Sequence, residues 1–239
     1  MKFLELTFTE PAANLACDEA LLEMLEADES SGECLRVWEA KKHFVVLGHS
    51  NRLQADVNVA ACSEHGIPIV RRISGGGTVL QGPGCLNYSL ILGNDPQRPR
   101  NIGDTFKYVL HRHRLVIEEI CGVKARLDGI SDLTVNGLKV SGNAQYRKSR
   151  YVLVHGTFLC AFDLQLVEKY LQIPAKQPAY RMGRSHLHFI TNLRVDAGQI
   201  RHRLQNAWQA AEAFGEIATA RIDRLFRDRY GRIEWSEKF

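Results

Sequence analysis

The sequence predicts an α+β fold in which a largely antiparallel or mixed β-sheet is flanked by helices. Short β-prone segments closed by turn residues are mixed with a few helical segments, without a regular strand–helix alternation. An Asn-Gly dipeptide between β-prone residues is typical of a two-residue hairpin. The 239 residues, 45% of them hydrophobic, are enough for one substantial core.

Helices are predicted where apolar residues recur at three- or four-residue spacings. Asn14 is a candidate cap for a helix over Leu15–Ala27, and Asp104 is one for a helix with an apolar stripe over Phe106–Ile120. Further helices are expected in the second half of the chain, at Leu164–Ile173, Ile200–Ala213 and Glu216–Tyr230.

Strands are predicted in five β-prone segments, at Leu35–Trp38, Phe44–Leu47, Ile67–Ile73, Leu86–Leu92 and Tyr151–Phe162. We expect the last of them to be broken at Gly156. Asn136 and Gly137 are expected to form the hairpin turn, because both positions of such a turn need positive φ. The stretch 174–188, which contains two prolines and a glycine, is the best candidate for a mobile loop.

Composition excludes several classes of protein. No run approaches the roughly 18 apolar residues of a membrane-spanning helix, and the N-terminus has no secretory signal, so we expect a cytoplasmic protein without membrane association. The net charge of +4 comes without a dense Lys/Arg run, so no nucleic-acid partner is expected. The six cysteines form no CxxC pair, which argues against a zinc or dithiol site, and most should be small buried residues.

The first segment that indicates chemistry is RRISGGGT, from Arg71 to Thr78. Three glycines after a strand let backbone N–H groups approach a ligand, and the two arginines add charge for phosphate oxygens. The spacing matches neither a P-loop nor the dinucleotide-binding fingerprint. On this segment alone, a phosphate-binding loop and a flexible turn flanked by solvated arginines stay equally open.

Two further segments follow the glycine-rich one. KVSGNAQYR begins at Lys139, on the far strand of the hairpin, where a lysine can either neutralise a developing negative charge or point to solvent from a strand edge. VHGTF places His155 and Gly156 within an apolar strand, which indicates a bulge or a close backbone approach. His155 can orient a ligand, or it can be an ordinary core histidine.

The order and separation of these segments resemble the lipoate–protein ligase family, within the larger group of biotin/lipoate ligases and octanoyltransferases. The resemblance rests on RRxSGGG, an Asn-containing strand, DLxVNGxKxSGxAxxR and HGT, in this order. It extends from Trp38, at the start of WEAKKHFVVLGHSN, to Asn192 in FITNL. It implies a single catalytic domain over residues 1–239, with the class II synthetase-like fold of that group and without an accessory C-terminal domain.

The resemblance also implies an activity. Such ligases use Mg-ATP to activate lipoate or octanoate as an acyl-adenylate, then pass the acyl group to a lysine of a lipoyl-carrier protein, either an E2 domain or a glycine-cleavage H-like protein. Lys139 matches the catalytic lysine that contacts the activated carbonyl and the α-phosphate. Asp132 matches a position in the nucleotide and Mg²⁺ region. The positions that match substrate- or nucleotide-binding residues are Arg72, Ser74, Gly75, Gly76, Gly77, Thr78, Asn87, Asp132, Ser141, Gly142, His155 and Gly156.

The chain departs from the family pattern at one place. Gln81-Gly82 stands where many ligases have a His-Asp pair, which removes a titratable group and a carboxylate near the phosphates. Because the chain ends near the end of the ligase catalytic domain, such a ligase would work alone or with a separate accessory subunit. The sequence identifies neither the acid, nor the carrier protein, nor the oligomeric state.

The main alternative is an ATP-independent octanoyl or lipoyl transferase of the same fold, which uses a cysteine thiolate. In one such branch the thiol precedes the motif lysine, in a window that corresponds here to Lys124–Leu127 and contains no cysteine. Cys121 lies just outside this window, Cys160 follows HGT, and Cys85 is closest to the expected site. The missing thiol favours the ligase. A non-catalytic ligand-binding homologue is the third hypothesis, against which Lys139 and the complete SGGG argue.

Overall fold

The structure, a computed structural model, describes residues 1–30 and 32–239. Its strands are β1 (Lys2–Glu5), β2 (Cys34–Glu39), β3 (Phe44–Leu47), β4 (Ile69–Arg71), β5 (Val79–Gln81), β6 (Cys85–Gly93), β7 (Ala125–Asp128), β8 (Asp132–Val135), β9 (Leu138–Arg147), β10 (Tyr151–Leu159) and β11 (Glu212–Ala213). Its α-helices are α1 (Pro11–Glu26), α2 (Leu53–Asp56), α3 (Val59–Glu64), α4 (Ile102–Cys121), α5 (Gln165–Tyr170), α6 (Ala197–Ala207), α7 (Thr219–Leu225) and α8 (Ile233–Ser236). A 3₁₀ turn spans Ala179–Arg181, and a π-helical turn spans Phe226–Tyr230.

The strands form two sheets. The larger has the order β11-β1-β2-β6-β10-β9-β8-β7, with β1 parallel to both neighbours and the other pairs antiparallel. The smaller has the order β4-β3-β5, with β3 parallel to β4 and antiparallel to β5. The predicted α+β class with a largely antiparallel sheet is therefore confirmed.

The large sheet is covered on both faces. Helix α1 and part of the small sheet pack on the face that presents Cys34, Trp38 and Leu153, while α4 and α6 pack on the face that presents Leu35, Val37 and Val154. Because side chains alternate along each strand, odd- and even-numbered positions of β6 and β10 point to different layers. Among the described residues, no helix is long and apolar enough to cross a membrane.

Two helix starts differ from the prediction. Helix α1 begins at Pro11, and Asn14 lies inside it, where its side chain exchanges hydrogen bonds with the backbone of Phe8 (both 2.9 Å) instead of capping. Helix α4 is capped by Asn101, whose side-chain oxygen accepts from the backbone N–H of Asp104 at 2.8 Å. In both cases the helix starts upstream of the predicted cap. Proline is favoured in the first turn of α1 because it lacks the N–H that would stay unpaired, and asparagine is favoured as the cap of α4 because its side-chain oxygen accepts a first-turn N–H.

The hairpin prediction is confirmed, with φ of 52° at Asn136 and 74° at Gly137 between β8 and β9. The expected break at Gly156 is wrong, since β10 runs through this residue without interruption. A Cβ at Gly156 would lie 1.8 Å from Oδ1 of Asn143 on β9, so the glycine makes room for a neighbouring side chain. The predicted C-terminal helix is divided into α7 and the π-helical turn.

Helix α4 also buries a histidine, His113, which accepts a hydrogen bond from the indole Nε1 of Trp208 at 2.9 Å. Burial, and secondarily Arg112, lower the pKa of His113 to about 3. Between an ordinary pKa of about 6.5 and this value, only the unfolded chain takes up a proton at this residue. The free energy of unfolding therefore decreases by about 1.4 kcal/mol for each unit by which the pH is lowered. We expect His113→Gln to flatten this acid dependence in urea unfolding between about pH 6 and 4.

The exposed His111 on the same helix provides the control, since His111→Gln should leave the acid dependence unchanged. Equal acid dependence in His113→Gln and the wild type would show that His113 is not the acid-sensitive group.

Candidate functional site

The glycine loop, defined here as residues 72–78, connects β4 to β5. Gly75, Gly76 and Gly77 are exposed, whereas Ser74 is fully buried. Gly76 has φ of 89°, a conformation that favours glycine. A Cβ at Gly48 would lie 2.2 Å from the carbonyl oxygen of Gly76, so the loop packs directly on the backbone of the turn after β3. The three glycines therefore expose backbone groups to solvent, while the turn after β3 supports the loop on its other side.

Arg72 lies beneath this loop and is 7% exposed. Its Nη2 donates to the carbonyl oxygens of Gly75 (2.6 Å) and Gly77 (2.8 Å), and its Nε donates to Ser74 Oγ (3.0 Å). Burial lowers the pKa of Arg72 to about 10, which keeps the guanidinium charged at neutral pH. Nη1 makes no hydrogen bond within the described part of the chain.

Arg71, the neighbouring arginine, is fully buried and has a different role. Its guanidinium donates to the backbone carbonyls of Gly48 (2.9 Å), His49 (3.1 Å) and Asn51 (2.7 Å). It also donates to the carbonyls of Trp235 and Ser236 in α8. Arg71 thus joins the turn below the glycine loop to the C-terminal segment, and its donors do not face the exposed glycines.

One cross-strand row of the large sheet contains three of the predicted site residues. The register pairs Asp132 with Gly142, Gly142 with Thr157, and Thr157 with Asn87. Paired side chains in adjacent strands lie on the same face, so this row occupies the face on which α1 and the small sheet pack. Thr157 donates to Asn87 Oδ1 and accepts from Gln81 Nε2, both at 2.6 Å. The amide of Gln81, at the place where the chain departs from the family pattern, is thus bound to this row.

Lys139 and Asp132 form an ion pair at the end of this row. The Nζ of Lys139 lies 2.9 Å from Asp132 Oδ1, and the hydroxyl of Tyr180 donates to Asp132 Oδ2 at 2.7 Å. Tyr180 was not predicted as a site residue, because it lies in the Pro-flanked stretch 174–188, which has no hydrophobic periodicity. The structure attaches this stretch to the hairpin through Tyr180 and through Arg184, which donates to the carbonyl of Gly137 at 3.2 Å.

The loop and the lysine belong to one site. A Cβ at Gly76 would lie 3.8 Å from the Cβ of Ala144 on β9. Ala144 lies two residues after Gly142 on the same face of β9, and two strand residues span roughly 7 Å. A Cβ at Gly142 would lie 2.7 Å from both Cε and Nζ of Lys139. The side chain of Lys139 therefore crosses over Gly142, further along its own strand, and lies beside the glycine loop.

This crossing leads to a prediction for Gly142→Ala. The added methyl group would displace the Lys139 side chain from its position beside Asp132, because the strand backbone below it cannot move without breaking its pairing. We expect a folded protein whose activity falls on the order of 10–100-fold, as for other misplacements of about 1 Å. Circular dichroism and a turnover assay check the two parts.

Gly215→Ala is the matched control, since a Cβ at Gly215 meets no atom within 4 Å. Unchanged turnover in a folded Gly142→Ala variant would contradict the predicted position of Lys139.

The other predicted residues divide into two groups. His155 Nε2 lies 2.6 Å from Ser74 Oγ, and Thr78 Oγ1 donates to Asp56 Oδ2 at 2.7 Å. Both contacts attach the glycine loop to the body of the protein. Ser141 and Gly156 instead lie on the opposite face, where Ser141 is fully buried and pairs in register with Leu133 and Phe158 of the core beneath α4. Their side-chain positions do not line the site.

Asp56 is a second residue that sequence reasoning missed. It accepts hydrogen bonds from Thr78 and from the side chain of Asn51, at the turn after β3. In this turn the backbone N–H of Asn51 donates to the carbonyl of Gly48 at 3.0 Å. Nothing local to Asp56 indicated that it would contact the glycine loop.

The six cysteines are poor candidates for a nucleophile. Five are buried and Cys121, at the end of α4, is intermediate. Burial raises the pKa of Cys160 to about 11, and it raises the pKa of Cys85 and of Cys121 above its ordinary value. Cys85, the candidate closest to the expected site, packs in the core between the small sheet and α5. A thiolate nucleophile needs a lowered pKa and access to the substrate, and the two candidates Cys85 and Cys160 have neither.

A site for Mg²⁺ can be tested against the residues present. Within the described residues, no three His, Cys, Asp or Glu side chains converge on a common point. Mg²⁺ commonly uses one or two carboxylates together with substrate phosphates and water. Asp132 fits this requirement as a single protein ligand for an ion that arrives with a nucleotide.

A family model described as the lipoyl protein ligase A/B catalytic domain matches residues 10–210. This chain belongs to that family. Lipoate–protein ligase 1 of Staphylococcus aureus is 32% identical over 180 residues, which are 74% of this chain and 52% of that protein. The chain therefore spans about half the length of this lipoyl ligase relative.

Two further comparisons define the breadth of the family. The octanoyltransferase LipM of Oceanobacillus iheyensis is 25% identical over 93% of this chain and 87% of that protein. The solved bipartite lipoate protein ligase of Thermoplasma acidophilum, described with its E2 lipoyl domain, has a TM-score of 0.83 and 21% identity, and covers 99% of this chain and 95% of that one. This likeness shows that the chain has the lipoyl ligase fold. This chain is thus similar to lipoate ligases and also to an octanoyltransferase.

Proposed function

We propose that this chain is an ATP-dependent lipoate–protein ligase that activates lipoate or octanoate as an acyl-adenylate and transfers the acyl group to a lysine of a lipoyl domain. The observation that supports it best is a lysine, Lys139, held by Asp132 beside an exposed glycine loop, with no accessible, low-pKa thiol next to them in the described part of the chain. Adenylation needs positioning and charge stabilisation, and these groups provide both.

The proposed reaction has two steps. A carboxylate oxygen of the acid attacks the α-phosphorus of ATP, and pyrophosphate leaves as the mixed anhydride forms. The carrier lysine then attacks the acyl carbonyl as a free amine, the bond between the carbonyl carbon and the AMP oxygen breaks, AMP leaves, and the amine proton passes to solvent. Asp132 would be the protein ligand of a Mg²⁺ ion that arrives with the nucleotide, and such an ion would shield phosphate charge.

The residues of the chain have distinct roles in this scheme. The N–H groups of the glycine loop hold phosphate oxygens, and Arg72 Nη1 is the free donor beneath them. Lys139 shifts from Asp132 to the acyl carbonyl and the α-phosphate, where negative charge develops. Asp132 and Tyr180 keep the lysine in place before the substrates bind.

The test is acid-dependent exchange of pyrophosphate into ATP, with lipoate, octanoate and biotin in parallel. We expect exchange with lipoate or octanoate and none with biotin. The outcome against the proposal is no exchange with any acid, both for the chain alone and after addition of a candidate accessory subunit.

The second candidate function is thiol-dependent acyl transfer, which the LipM relative favours. Replacing Cys85, Cys121 and Cys160 together with alanine separates the two chemistries. A ligase should keep its ATP-dependent activity, whereas a transferase should lose all acyl transfer while it keeps its fold.

We also propose that residues 1–239 act as one catalytic domain on a lipoyl-carrier partner. The Thermoplasma neighbour is described as bipartite and together with an E2 lipoyl domain, which supports a test with such a domain and with a separate accessory subunit. Modification of the carrier lysine, measured by mass spectrometry with and without the subunit, answers both questions.

A further inference from the structure

A buried carboxylate lies behind the proposed site. Asp18 of α1 is 2% exposed and faces the sheet row that contains Arg36, Ser89 and His155. Arg36 donates to Asp18 Oδ1 at 2.6 Å. The second oxygen, Oδ2, has no hydrogen-bond partner within 3.5 Å among the described residues, and it lies 3.6 Å from His155 Nδ1.

The Asp18 carboxylate is ionised at neutral pH. Burial by itself would raise the pKa of Asp18, but Arg36, and to a smaller extent His155 and Ser89, bring it below its ordinary value. An ionised carboxylate only accepts hydrogen bonds. A hydrogen on the His155 nitrogen that faces it, 3.6 Å away, is therefore favoured electrostatically.

The opposite end of the same chain of contacts also has a fixed direction. Arg72 Nε can only donate, and it donates to Ser74 Oγ at 3.0 Å. Ser74 Oγ lies 2.6 Å from His155 Nε2. If His155 is neutral with its hydrogen on Nδ1, then Nε2 is an acceptor and the Ser74 hydroxyl donates to it. This arrangement pairs Ser74 Oγ with a donor on one side and an acceptor on the other, and it turns the N–H of His155 toward the Asp18 carboxylate at 3.6 Å.

We propose that Asp18 is a positioning residue that sets the tautomer of His155, directs the hydroxyl of Ser74, and so holds Arg72 and the glycine loop in place for the reaction. Ser74 is the first residue of the SGGG segment, and Arg72 binds the carbonyls of Gly75 and Gly77. The functional part of this inference rests on the proposed function, because the glycine loop is the surface offered to the acyl-adenylate. The tautomer itself does not depend on it.

The first measurement uses the unmodified protein without substrate. Long-range ¹H–¹⁵N correlation spectra distinguish the two nitrogens of His155, and we expect the hydrogen on Nδ1 and a bare Nε2. A hydrogen on Nε2 of a neutral His155 would overturn the proposal, whatever the enzymatic activity proves to be.

The second measurement uses Asp18→Asn, in which the amide can donate to Nδ1. We expect His155 to move its hydrogen to Nε2, the amide resonances of Gly75–Gly77 to shift, and pyrophosphate exchange at saturating substrate to slow by about 10–100-fold. A folded Asp18→Asn protein with the tautomer and the loop resonances of the wild type would refute the positioning role.

Glu19→Gln is the matched control. Glu19 is the adjacent buried carboxylate of α1, but its hydrogen-bond partners are Arg229 and Tyr230 instead of the groups around His155. This variant should lose stability without any change in the His155 tautomer, the loop resonances or the exchange rate. If Asp18→Asn does not fold because Arg36 loses its partner, Ser74→Ala keeps the Asp18–Arg36 pair. It should then shift the loop resonances and leave the hydrogen of His155 on Nδ1, and unshifted loop resonances would contradict the proposal.

Failure of the proposed function has a different signature. A protein that shows no exchange with any acid, but has the expected tautomer and the expected Asp18→Asn shifts, retains the positioning chain and loses only the ligase assignment.

Discussion

Lys139→Ala is expected to reduce acyl-adenylate formation by about 10²–10³-fold, the loss measured when one donor to a developing oxyanion is removed. The lysine is the cation beside the glycine loop that can leave its resting partner, since its Nζ is bound to Asp132 at the edge of the site and its side chain is 23% exposed. The fold should persist, because the backbone of Lys139 keeps its bonds to Phe189 and Thr191. Pyrophosphate exchange and circular dichroism measure the two effects.

The matched control is Lys148→Ala. Lys148 directly follows the same strand, but it lies 3.7 Å from Glu23 and takes no part in the site. Near-normal adenylation in a folded Lys139→Ala protein would remove the lysine from the mechanism. A loss of equal size in Lys148→Ala would show that the effect comes from the strand and not from the side chain at position 139.

Arg71→Met should have the largest effect on stability, about 3–5 kcal/mol in the free energy of unfolding. Methionine keeps most of the volume but leaves the buried carbonyls of Gly48 and Ser236 and the half-buried carbonyl of Asn51 without their donor. The expected result is a lower urea midpoint, together with faster hydrogen exchange in α8 and in the turn after β3.

Arg52→Met is the control for Arg71→Met. Arg52 is exposed in the same turn region, and its replacement should change the unfolding free energy by less than about 0.5 kcal/mol. An equally small change in Arg71→Met would mean that the buried carbonyls find other donors.

Local chemistry made part of this structure predictable. The Asn136-Gly137 turn, the β-prone segments around it and the apolar stripe of α4 depend on interactions within a few residues, and the structure has all of them. The motif residues Ser74, His155 and Lys139 were predicted from their order along the chain, and the structure brings the first two within 2.6 Å of each other.

The contacts that hold the site were not predictable in this way. Asp18 looks in sequence like one more acidic residue of a helix, and Tyr180 lies in a stretch without periodicity. Their partners, His155 and Asp132, are far from them along the chain, so only the assembled sheet and its covering layers bring them together. Arg71 was expected to supply charge for a ligand, but six hydrogen bonds to backbone carbonyls occupy it. The sequence of two adjacent arginines at a strand end does not show which of them turns inward.

The bonds from Arg71 to Trp235 and Ser236 have a consequence for biosynthesis. The two partners are separated by 164 and 165 residues, so a ribosome that adds roughly 5–20 residues per second completes the second partner about 8–33 s after the first. During this interval Arg71, which binds the turn below the glycine loop, lacks the carbonyls of Trp235 and Ser236 as hydrogen-bond acceptors. The turn should therefore reach its full stability only after α8 has left the exit tunnel, and in stalled chains that end before Trp235 its amide hydrogens should exchange faster.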